Sequence, residues 1–234
     1  MKKMSKRYKE VRERVESGRD YSIDDAIKLI KETAKAKFDE SVEVSVNLGV
    51  DPRHADQLVR GTVSLPHGTG KDVKVLVLTK GDKEKEAEEA GADFVGFDEY
   101  INKINQGWFG FDVVVATPNV MSEVGKLGRV LGPRGLMPNP KSGTVTMEVD
   151  KAVKELKAGK IEFRVDKYGI LHLAIGKSSF EDQQIRDNLL AFLDTVVRLK
   201  PASSKGQYIR KVTLANTMGP GITVDRNALI EAVR

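Results

Sequence analysis

The pattern of apolar residues in the strand-like segments changes twice along this chain of 234 residues. Near the N-terminus, Val42, Val44 and Val46 begin a strict alternation of apolar and polar residues that continues to Val50. Such alternation predicts a half-buried strand whose polar side chains face outward. We expect the following segment RGTVSL to pair with this strand. The same alternating pattern returns towards the C-terminus in IEFRV and LHLAI.

The middle of the chain has a different pattern. Its apolar residues form short uninterrupted runs separated by helical stretches, and the runs are VKVLVL (73–78), ADFVGF (92–97) and DVVVATP (112–118). Uninterrupted apolar runs are typical of strands buried on both faces, and their alternation with helices predicts a parallel sheet. The middle of the chain is therefore predicted to be an α/β unit.

Each terminal piece is too short to bury a core of its own, because the buried fraction of a chain falls with its length. We therefore predict one discontinuous α+β domain, formed by residues 1–66 and 160–234, with an α/β domain of residues 67–159 inserted into it. The chain crosses between the domains at PHGTGK and again at AGK, and both crossings contain glycine. Two short crossings of this kind predict a hinge between domains that move as rigid bodies.

Composition argues against some classes of protein. The chain has no cysteine, which fits a reducing cytoplasm, and it has no apolar run near the roughly 20 residues that span a bilayer. Its net charge of +5 is unevenly spread, because residues 82–100 hold eight acids and two lysines whereas residues 198–219 hold five bases and no acid. Separate basic blocks predict particular surfaces for a polyanion, and we expect no membrane partner.

The segment GKLGRVLGPRGLMPNPKSGTV (125–145), called here the glycine-rich basic segment, contains no acidic residue. Its glycines and prolines do not favour one regular helix or strand along its whole length. Glycine lets a backbone approach an anion closely, and cations neutralise phosphates; the cations are Lys126, Arg129, Arg134 and Lys141. We predict an ordered basic loop, and a mobile connection without a ligand is the alternative.

The sequence lacks the fingerprints of nucleotide-binding enzymes. One glycine follows VKVLVL where the dinucleotide motif G-x-G-x-x-G needs three, and LPHGTGKD departs from the P-loop at both ends. His54, His67 and His172 form no close pair in the sequence, so we predict no catalytic residues, no metal site and no cofactor. A small-ligand or nucleotide-binding α/β enzyme is the alternative to a protein that binds nucleic acid.

The glycine-rich basic segment also resembles the signature of the large-subunit ribosomal protein one family. KFDESVEVSVNLGVDPRHADQLVRGTVSLPHGTGK is similar to the N-terminal block of that family, and IEFRVDKYGILH, GKSSF and NTMGPGI resemble later blocks in order. The resemblance extends from about Tyr21 to Ile222, and several of these motifs are long enough to be highly specific. The extension before Tyr21 is less distinctive.

The resemblance implies a fold and a function. The family has a discontinuous α+β domain of the split β-α-β type with an inserted Rossmann-like three-layer α/β domain. It builds the mobile stalk of the large ribosomal subunit beside the tRNA exit site, where it assists release of deacylated tRNA, and bacterial members repress translation of their own mRNA. The resemblance therefore implies a cytoplasmic, non-enzymatic protein that is monomeric when free and binds large-subunit rRNA, its own operon mRNA and exit-site tRNA. A free translational regulator that never joins the ribosome is a further alternative.

Position by position, the resemblance implies an rRNA-binding surface made of three groups of residues. They are Lys37, Phe38, Ser41 and Glu43; Asp166 and Lys167; and Thr217, Met218 and Gly219. Ser41 and Asn216 stand where the family often has threonine, and both replacements keep a polar side chain.

The chemistry of these residue types suits RNA. The Glu43 carboxylate can accept hydrogen bonds from a base or a 2′-hydroxyl, and Thr217 can bond a 2′-hydroxyl. Phe38 can stack on a base, Met218 can pack on a ribose, and Gly219 allows a close backbone approach. Without the resemblance, Glu43 would be a solvated strand residue, Phe38 a core residue and TMGP a strand end with a turn.

Overall fold

The computed structural model describes residues 4–16, 18–81 and 83–233. In chain order the elements are α1 Lys6–Glu13, α2 Ile23–Thr33, β1 Ser41–Leu48, β2 Arg60–Ser64, β3 Val75–Leu78, α3 Lys83–Glu89, β4 Phe94–Gly96, α4 Asp98–Asn105, β5 Val113–Ala116, α5 Met121–Val124, α6 Gly128–Leu131, α7 Val149–Lys157, β6 Lys160–Arg164, β7 Ile170–Lys177, α8 Asp182–Arg198, β8 Ile209–Asn216, β9 Ile222–Val224 and α9 Arg226–Val233. Within these described ranges, none of the helices combines the length and the apolar character required to cross a bilayer.

The chain forms two compact units of mixed α and β structure. Met1–Gly70 and Ile161–Arg234 form the split unit, and Lys71–Lys160 forms the inserted unit. The predicted crossings, after residues 66 and 159, differ from these boundaries by four residues and one residue.

Residues 67–70 belong to the split unit, in which His67 and Gly68 are bonded to Asn188 of α8. The His67 N–H donates to Asn188 Oδ1 (3.0 Å), and Asn188 Nδ2 donates to the carbonyl oxygens of Gly68 (2.9 Å) and Ile175 (2.7 Å). The Asn188 side chain is fully buried, so these bonds satisfy an amide that water does not reach. The sequence pattern around residue 66 carries no sign of these bonds, since their partner lies about 120 residues further along the chain.

The split unit is built on a four-stranded antiparallel sheet with the strand order β7-β1-β8-β9. Helices α2 and α8 pack against one face of this sheet. The alternation predicted for β1 is confirmed, because Val42, Val44 and Val46 are completely buried in the core whereas Glu43 is exposed on the other face. The polar side chains of β1 therefore lie on that other face.

The prediction that RGTVSL pairs with β1 is wrong. β2 pairs with β6 in a separate two-stranded sheet. β1 has no free edge, because β7 pairs with it along one side and β8 pairs with it along the other. Both of these neighbours come from the C-terminal part of the chain, so the pairing depends on long-range contacts that adjacency in the sequence does not indicate.

The inserted unit has a three-stranded parallel sheet with the order β4-β3-β5. Successive residues of β3 point to opposite faces, where they join separate cores. Val75 and Val77 pack with residues of α3 and α7 on one face, and Leu76 and Leu78 pack with residues of α4, α5 and α6 on the other. Helices therefore cover both faces, which explains why these strands are apolar throughout.

The first half of the glycine-rich basic segment is helical, contrary to the loop that we expected. α5, a 3-10 turn and α6 follow one another without a break. Val124, Leu127 and Leu131 lie on one side of this helical run and are buried in the core of the inserted unit. The burial of three apolar side chains at helical spacing outweighs the low helix propensity of Gly125 and Gly128.

Candidate nucleic-acid interface

The exposed face of the sheet in the split unit carries the polar residues of β1. Glu43 is exposed, and in the sheet register it lies between Ala174 of β7 and Ala215 of β8. Both neighbours have only a methyl side chain, so the carboxylate stands clear at the centre of the face. Ser41 and Ser45 lie two residues to either side, point to the same face and are half-buried.

Thr217 is joined to the start of β1. Its hydroxyl accepts a hydrogen bond from the Ser41 N–H (3.0 Å), and its own N–H donates to the Ser41 carbonyl (3.1 Å). These two bonds extend the pairing of β1 and β8 past its last pair, Val42 with Asn216. The fold thus brings together two predicted site residues that lie 176 positions apart in the sequence.

Two large apolar side chains next to this contact are exposed. Phe38 has 55% of its surface accessible, and Met218 has 49%. Phe38 is therefore outside the core, and the alternative of a core residue at this position is wrong. Lys37 is exposed beside Phe38, and Gly219 is half-buried in the turn after β8.

Two carboxylates that the sequence analysis did not single out hold these segments in place. The first, Glu40, is only 1% exposed. Its Oε1 accepts the N–H of Ala36 (2.9 Å), and its Oε2 accepts the N–H of Met218 (2.8 Å). Glu40 thus connects the segment before β1 to the turn after β8.

The second carboxylate, Asp39, connects the same segment to the turn after β7. It accepts hydrogen bonds from the Ser178 hydroxyl (2.8 Å) and from the N–H (3.1 Å) and hydroxyl (2.8 Å) of Ser179. Burial opposes the ionisation of Asp39, but the bonds from Ser178 and Ser179 and the charge of Lys177 outweigh burial and lower the pKa. In the sequence, Asp39 and Glu40 look like two solvated acids, and no local signal distinguishes them.

Lys177 is a further residue that the sequence analysis did not select, although it lies in the quoted motif GKSSF. It faces Ser41 in the register of β7 and β1, and its Nζ donates to Ser41 Oγ (3.0 Å). The ammonium group therefore brings a positive charge to the Ser41–Thr217 contact.

Asp166 and Lys167 lie in the tight turn between β6 and β7. Asp166 Oδ1 accepts the N–H groups of Tyr168 (2.8 Å) and Ile170 (2.9 Å), and Oδ2 lies 3.5 Å from Nε2 of His172. Burial opposes the ionisation of this carboxyl, but the two N–H groups and His172 outweigh burial, so the pKa of Asp166 is lowered. Lys167 is exposed, with its ammonium 5.2 Å from the ring centre of Tyr168.

Apart from Glu43, which lies on the face between them, the predicted rRNA-binding residues fall into two groups at opposite ends of β1. Ser41 lies opposite Lys177, close to Thr217, whereas Asn47 lies opposite Ile170, close to the turn that holds Asp166. The strand from Ser41 to Asn47 spans about 20 Å at roughly 3.3 Å per residue. The two groups therefore mark an extended surface rather than a single pocket.

His172 lies on the face between these two groups. Its Nδ1 is 3.1 Å from Ser45 Oγ, and its Nε2 approaches Asp166. The imidazole therefore links the turn after β6 to the middle of β1. In the sequence, His172 is only a histidine without a close partner, because its two neighbours are distant along the chain.

The four cations of the glycine-rich basic segment belong to the inserted unit. Lys126 and Arg129 are exposed and lie one turn apart on the helical run from α5 to α6. The Arg134 guanidinium lies 3.6 Å from the centre of the Phe109 ring, and Lys141 is exposed in a 3-10 turn. None of these four side chains forms an ion pair with an acidic residue that the structure describes. Their charges are therefore available to a polyanion.

The two units thus offer hydrogen bonding, stacking and charge neutralisation. Among residues 4–16, 18–81 and 83–233, no group of three His, Cys, Asp or Glu side chains is arranged to hold a metal ion. Exposed aromatic, hydroxyl, carboxylate and cationic side chains on a sheet face and in the turns beside it are typical of proteins that bind RNA.

Comparison with known proteins agrees with that class. The model of the ribosomal protein L1p/L10e family matches residues 30–220. The large ribosomal subunit protein uL1 of Chlorobium chlorochromatii (strain CaD3) is 59% identical over 225 residues, which cover 96% of this chain and 98% of that protein. The protein of the same name from Thermobifida fusca (strain YX) is 57% identical, and the match covers 99% of both chains. The one from Macrococcus caseolyticus (strain JCSC5402) is 60% identical, and the match covers 96% of this chain and 97% of that protein.

The chain belongs to the ribosomal protein L1p/L10e family. The resemblance inferred from the sequence motifs is therefore confirmed.

Proposed function

We propose that this protein is a structural, non-enzymatic component of the large ribosomal subunit in the cytoplasm, where it binds large-subunit rRNA. Family membership and the shared name of three relatives, which are 57–60% identical over nearly the whole chain, support this proposal. The split unit supplies the rRNA-binding surface. We assign it to the split β-α-β type, and we assign the inserted unit, with helices on both faces of a parallel sheet, to the Rossmann-like type.

The observation that carries the proposed interface is the contact of Ser41 with Thr217 between two exposed apolar side chains. Phe38 and Met218 expose about half of their surfaces, so their apolar groups are available to a partner. RNA offers base and ribose surfaces to such side chains, while hydroxyl groups such as that of Thr217 bond 2′-hydroxyls. Glu43 then accepts hydrogen bonds from the nucleotides over the centre of the face.

The second group of residues adds charge to the same surface. Lys167 neutralises phosphate at the far end of β1, and Asp166 holds the turn that presents it. An RNA that contacts both ends of β1 spans about 20 Å, the length of the strand between them. This extent suits a folded RNA rather than a single nucleotide.

The finer parts of the proposal concern movement and regulation. The protein forms the mobile stalk that assists release of deacylated tRNA, with Lys126, Arg129, Arg134 and Lys141 facing the moving RNA or the departing tRNA. It also represses translation of its own operon mRNA by binding that RNA through the surface that binds rRNA. The free protein is a monomer in this proposal.

Footprinting on purified bacterial large-subunit rRNA tests the interface. The protein is expected to protect one compact region of the rRNA, and Thr217→Ala is expected to weaken that protection without shifting it. Protection that is unaffected by Thr217→Ala and Glu43→Ala together would place the interface elsewhere on the molecule.

Co-sedimentation separates the ribosomal role from that of a free translational regulator. A structural protein is expected to sediment with large subunits after washing at moderate salt, whereas a regulator that never joins the ribosome would stay in the supernatant.

A nucleotide-binding screen of RNA-free protein tests the alternative of an α/β enzyme. We expect this screen to find no specific ligand.

A further inference from the structure

We propose that Glu40 is the positioning residue of the RNA interface, and that its buried carboxylate sets the position of Met218 and its neighbours relative to β1. The inference rests on the proposed RNA-binding function. Glu40 does not itself contact RNA in this proposal, because its side chain is only 1% exposed. It acts through the exposed residues that it holds.

The two oxygens of Glu40 serve two different segments. Oε1 accepts the N–H of Ala36, which directly precedes Lys37 and Phe38, and Oε2 accepts the N–H of Met218. The two bonds are of similar length, 2.9 Å and 2.8 Å. One side chain therefore defines the spacing between the segment before β1 and the turn after β8.

The backbone of Glu40 adds a third connection. The Ser178 N–H donates to the Glu40 carbonyl (2.8 Å), so the turn after β7 is held at the same residue. Three segments that are far apart in the sequence thus converge on Glu40. Two of them carry residues that we propose to contact RNA, and the third follows Lys177, which is bonded to Ser41.

A carboxylate is well suited to this position for a chemical reason. It is an acceptor at both oxygens, so it can satisfy two backbone N–H groups at once. A glutamine has the same shape, but its NH₂ group would face one of those N–H groups, and a buried donor left without an acceptor is costly. Glu40→Gln is therefore a nearly isosteric change that releases one of the two segments.

The alternative role for Glu40 is to stabilise the fold without influencing RNA binding. The two roles differ in what they predict for folded protein. A purely stabilising residue changes the free energy of unfolding and leaves the affinity of the folded fraction unchanged for every RNA. A positioning residue weakens the specific RNA and leaves non-specific RNA unaffected.

The experiment measures the affinity of full-length Glu40→Gln for purified bacterial large-subunit rRNA and for polyuridylate, together with thermal unfolding and amide hydrogen exchange. We expect binding to rRNA to weaken by about tenfold or more and binding to polyuridylate to stay within about twofold. The amide of either Ala36 or Met218 is expected to exchange faster, because the glutamine keeps an acceptor for only one of them. Unchanged rRNA affinity in folded protein, or equal losses on both RNAs, would overturn the proposal.

Asp225→Ala provides the matched control. Asp225 also accepts a backbone N–H, that of Asn227 at 2.8 Å, and it belongs to the same unit but holds none of the proposed RNA contacts. This variant is expected to change the free energy of unfolding and to leave the ratio of the affinities for the two RNAs unchanged.

Glu40→Asp provides a second variant in case Glu40→Gln does not fold. It keeps the charge but is too short to hold both segments, so we expect it to weaken rRNA binding as well, and full affinity would overturn the proposal.

A double variant distinguishes failure of the inference from failure of the proposed interface. If Glu40 acts through the turn after β8, Glu40→Gln combined with Thr217→Ala should weaken rRNA binding by less than the product of the two single effects. If the loss in the double variant equals the product of the two single losses, the positioning role is overturned and the proposed interface still stands. If Thr217→Ala and Glu43→Ala together leave rRNA affinity unchanged, the interface is wrong and the positioning role falls with it.

Discussion

At the scale of single residues, the proposed interface separates two physical roles. Thr217 and Glu43 offer polar atoms at fixed positions, so they suit hydrogen bonds to particular groups of an RNA. Lys205 is exposed within the acid-free block 198–219 and suits general attraction to phosphates. These roles predict different responses to the sequence of the RNA and to salt.

We expect Thr217→Ala and Glu43→Ala each to cost about 1–3 kcal/mol of binding free energy with large-subunit rRNA and little with non-specific RNA. The reason is the loss of a hydrogen bond that depends on the identity of the partner group. Filter-binding titrations with both RNAs check the expectation. Since Thr217 also bonds to Ser41, thermal unfolding must show that each variant is folded.

Lys205→Ala is the control, and it should weaken both RNAs alike and flatten the dependence of affinity on salt, because one phosphate contact is lost. Equal losses on both RNAs for Thr217→Ala would mean that the TMGP stretch is only structural.

The ionisation of Asp166 predicts a pH-dependent contribution to stability. Its pKa in the folded protein lies below the ordinary value of 3.8, so the charge contributes stability above about pH 4, and this is lost as the pH falls through the folded pKa. Asp166→Asn keeps the oxygen that accepts the Tyr168 and Ile170 N–H groups and removes the charge. Urea unfolding should therefore show a less stable variant at about pH 7 and a smaller difference at about pH 2. A difference that is equal at both pH values would contradict the assignment.

At the scale of elements, packing decides which segments become regular. The helical run from α5 to α6 contains Gly125 and Gly128, and both have helical φ and ψ values. A Cβ at either position would meet no atom within 4 Å. The fold of the described residues therefore gives no steric reason for glycine at these two positions.

We expect Gly125→Ala to raise the free energy of unfolding by about 0.5–1 kcal/mol, since alanine loses less conformational freedom in a helix. If glycine stands there so that RNA can approach the backbone, the same variant should bind RNA more weakly. Chemical unfolding and RNA titration of the same sample measure both effects. Unchanged RNA affinity would remove the close-approach explanation for this glycine.

Gly49→Ala is the control, for which we expect the opposite change in the free energy of unfolding. A Cβ at Gly49 would collide with the carbonyl oxygen of Gln207, where the chain enters β8. The backbone must then shift, and we expect a loss of about 1–3 kcal/mol in the free energy of unfolding. A neutral effect would show that the end of β1 can relax.

At the scale of the whole molecule, the division into two units predicts that the proposed binding function can be separated. All nine proposed rRNA-binding residues lie in the split unit, and the four cations of the glycine-rich basic segment lie in the inserted unit. The core of the split unit is formed within that unit from both ends of the chain. Removal of the inserted unit should therefore leave a core that can still form.

We expect residues 1–70, joined by a short flexible linker to residues 161–234, to fold and to bind large-subunit rRNA without the inserted unit. Circular dichroism, thermal unfolding and rRNA titration check this expectation. The assignment is wrong if isolated residues 71–160 bind as tightly as the whole chain while the joined ends do not bind.

The choice of boundary supplies a control for the same experiment. Joining residues 1–66 to 160–234 instead removes His67 and Gly68, which bond to the buried Asn188 side chain. This shorter form should be less stable, because part of a buried amide loses its partners. Equal stability of the two forms would mean that the Asn188 bonds contribute little.

The sequence by itself determined the features that depend on neighbouring residues. The alternation from Val42 to Leu48 predicted the exposed and buried faces of β1, and the uninterrupted apolar runs predicted a parallel sheet in the middle of the chain. Long motifs such as GKLGRVLGPRGLMPNPKSGTV were specific enough to indicate the family. Period and motif are local properties, so they can be recognised before the fold is known.

Only the tertiary structure decided which distant segments meet. β2 does not pair with β1, because β7 and β8 occupy the two edges of β1. Glu40 and Asn188 look like ordinary polar residues in the sequence, yet each bonds to groups well over 100 positions away, 178 for Glu40 and Met218 and 121 for Asn188 and His67. The physical reason is that burial converts a solvated polar group into one that must find a fixed partner, and the fold as a whole determines which groups are buried.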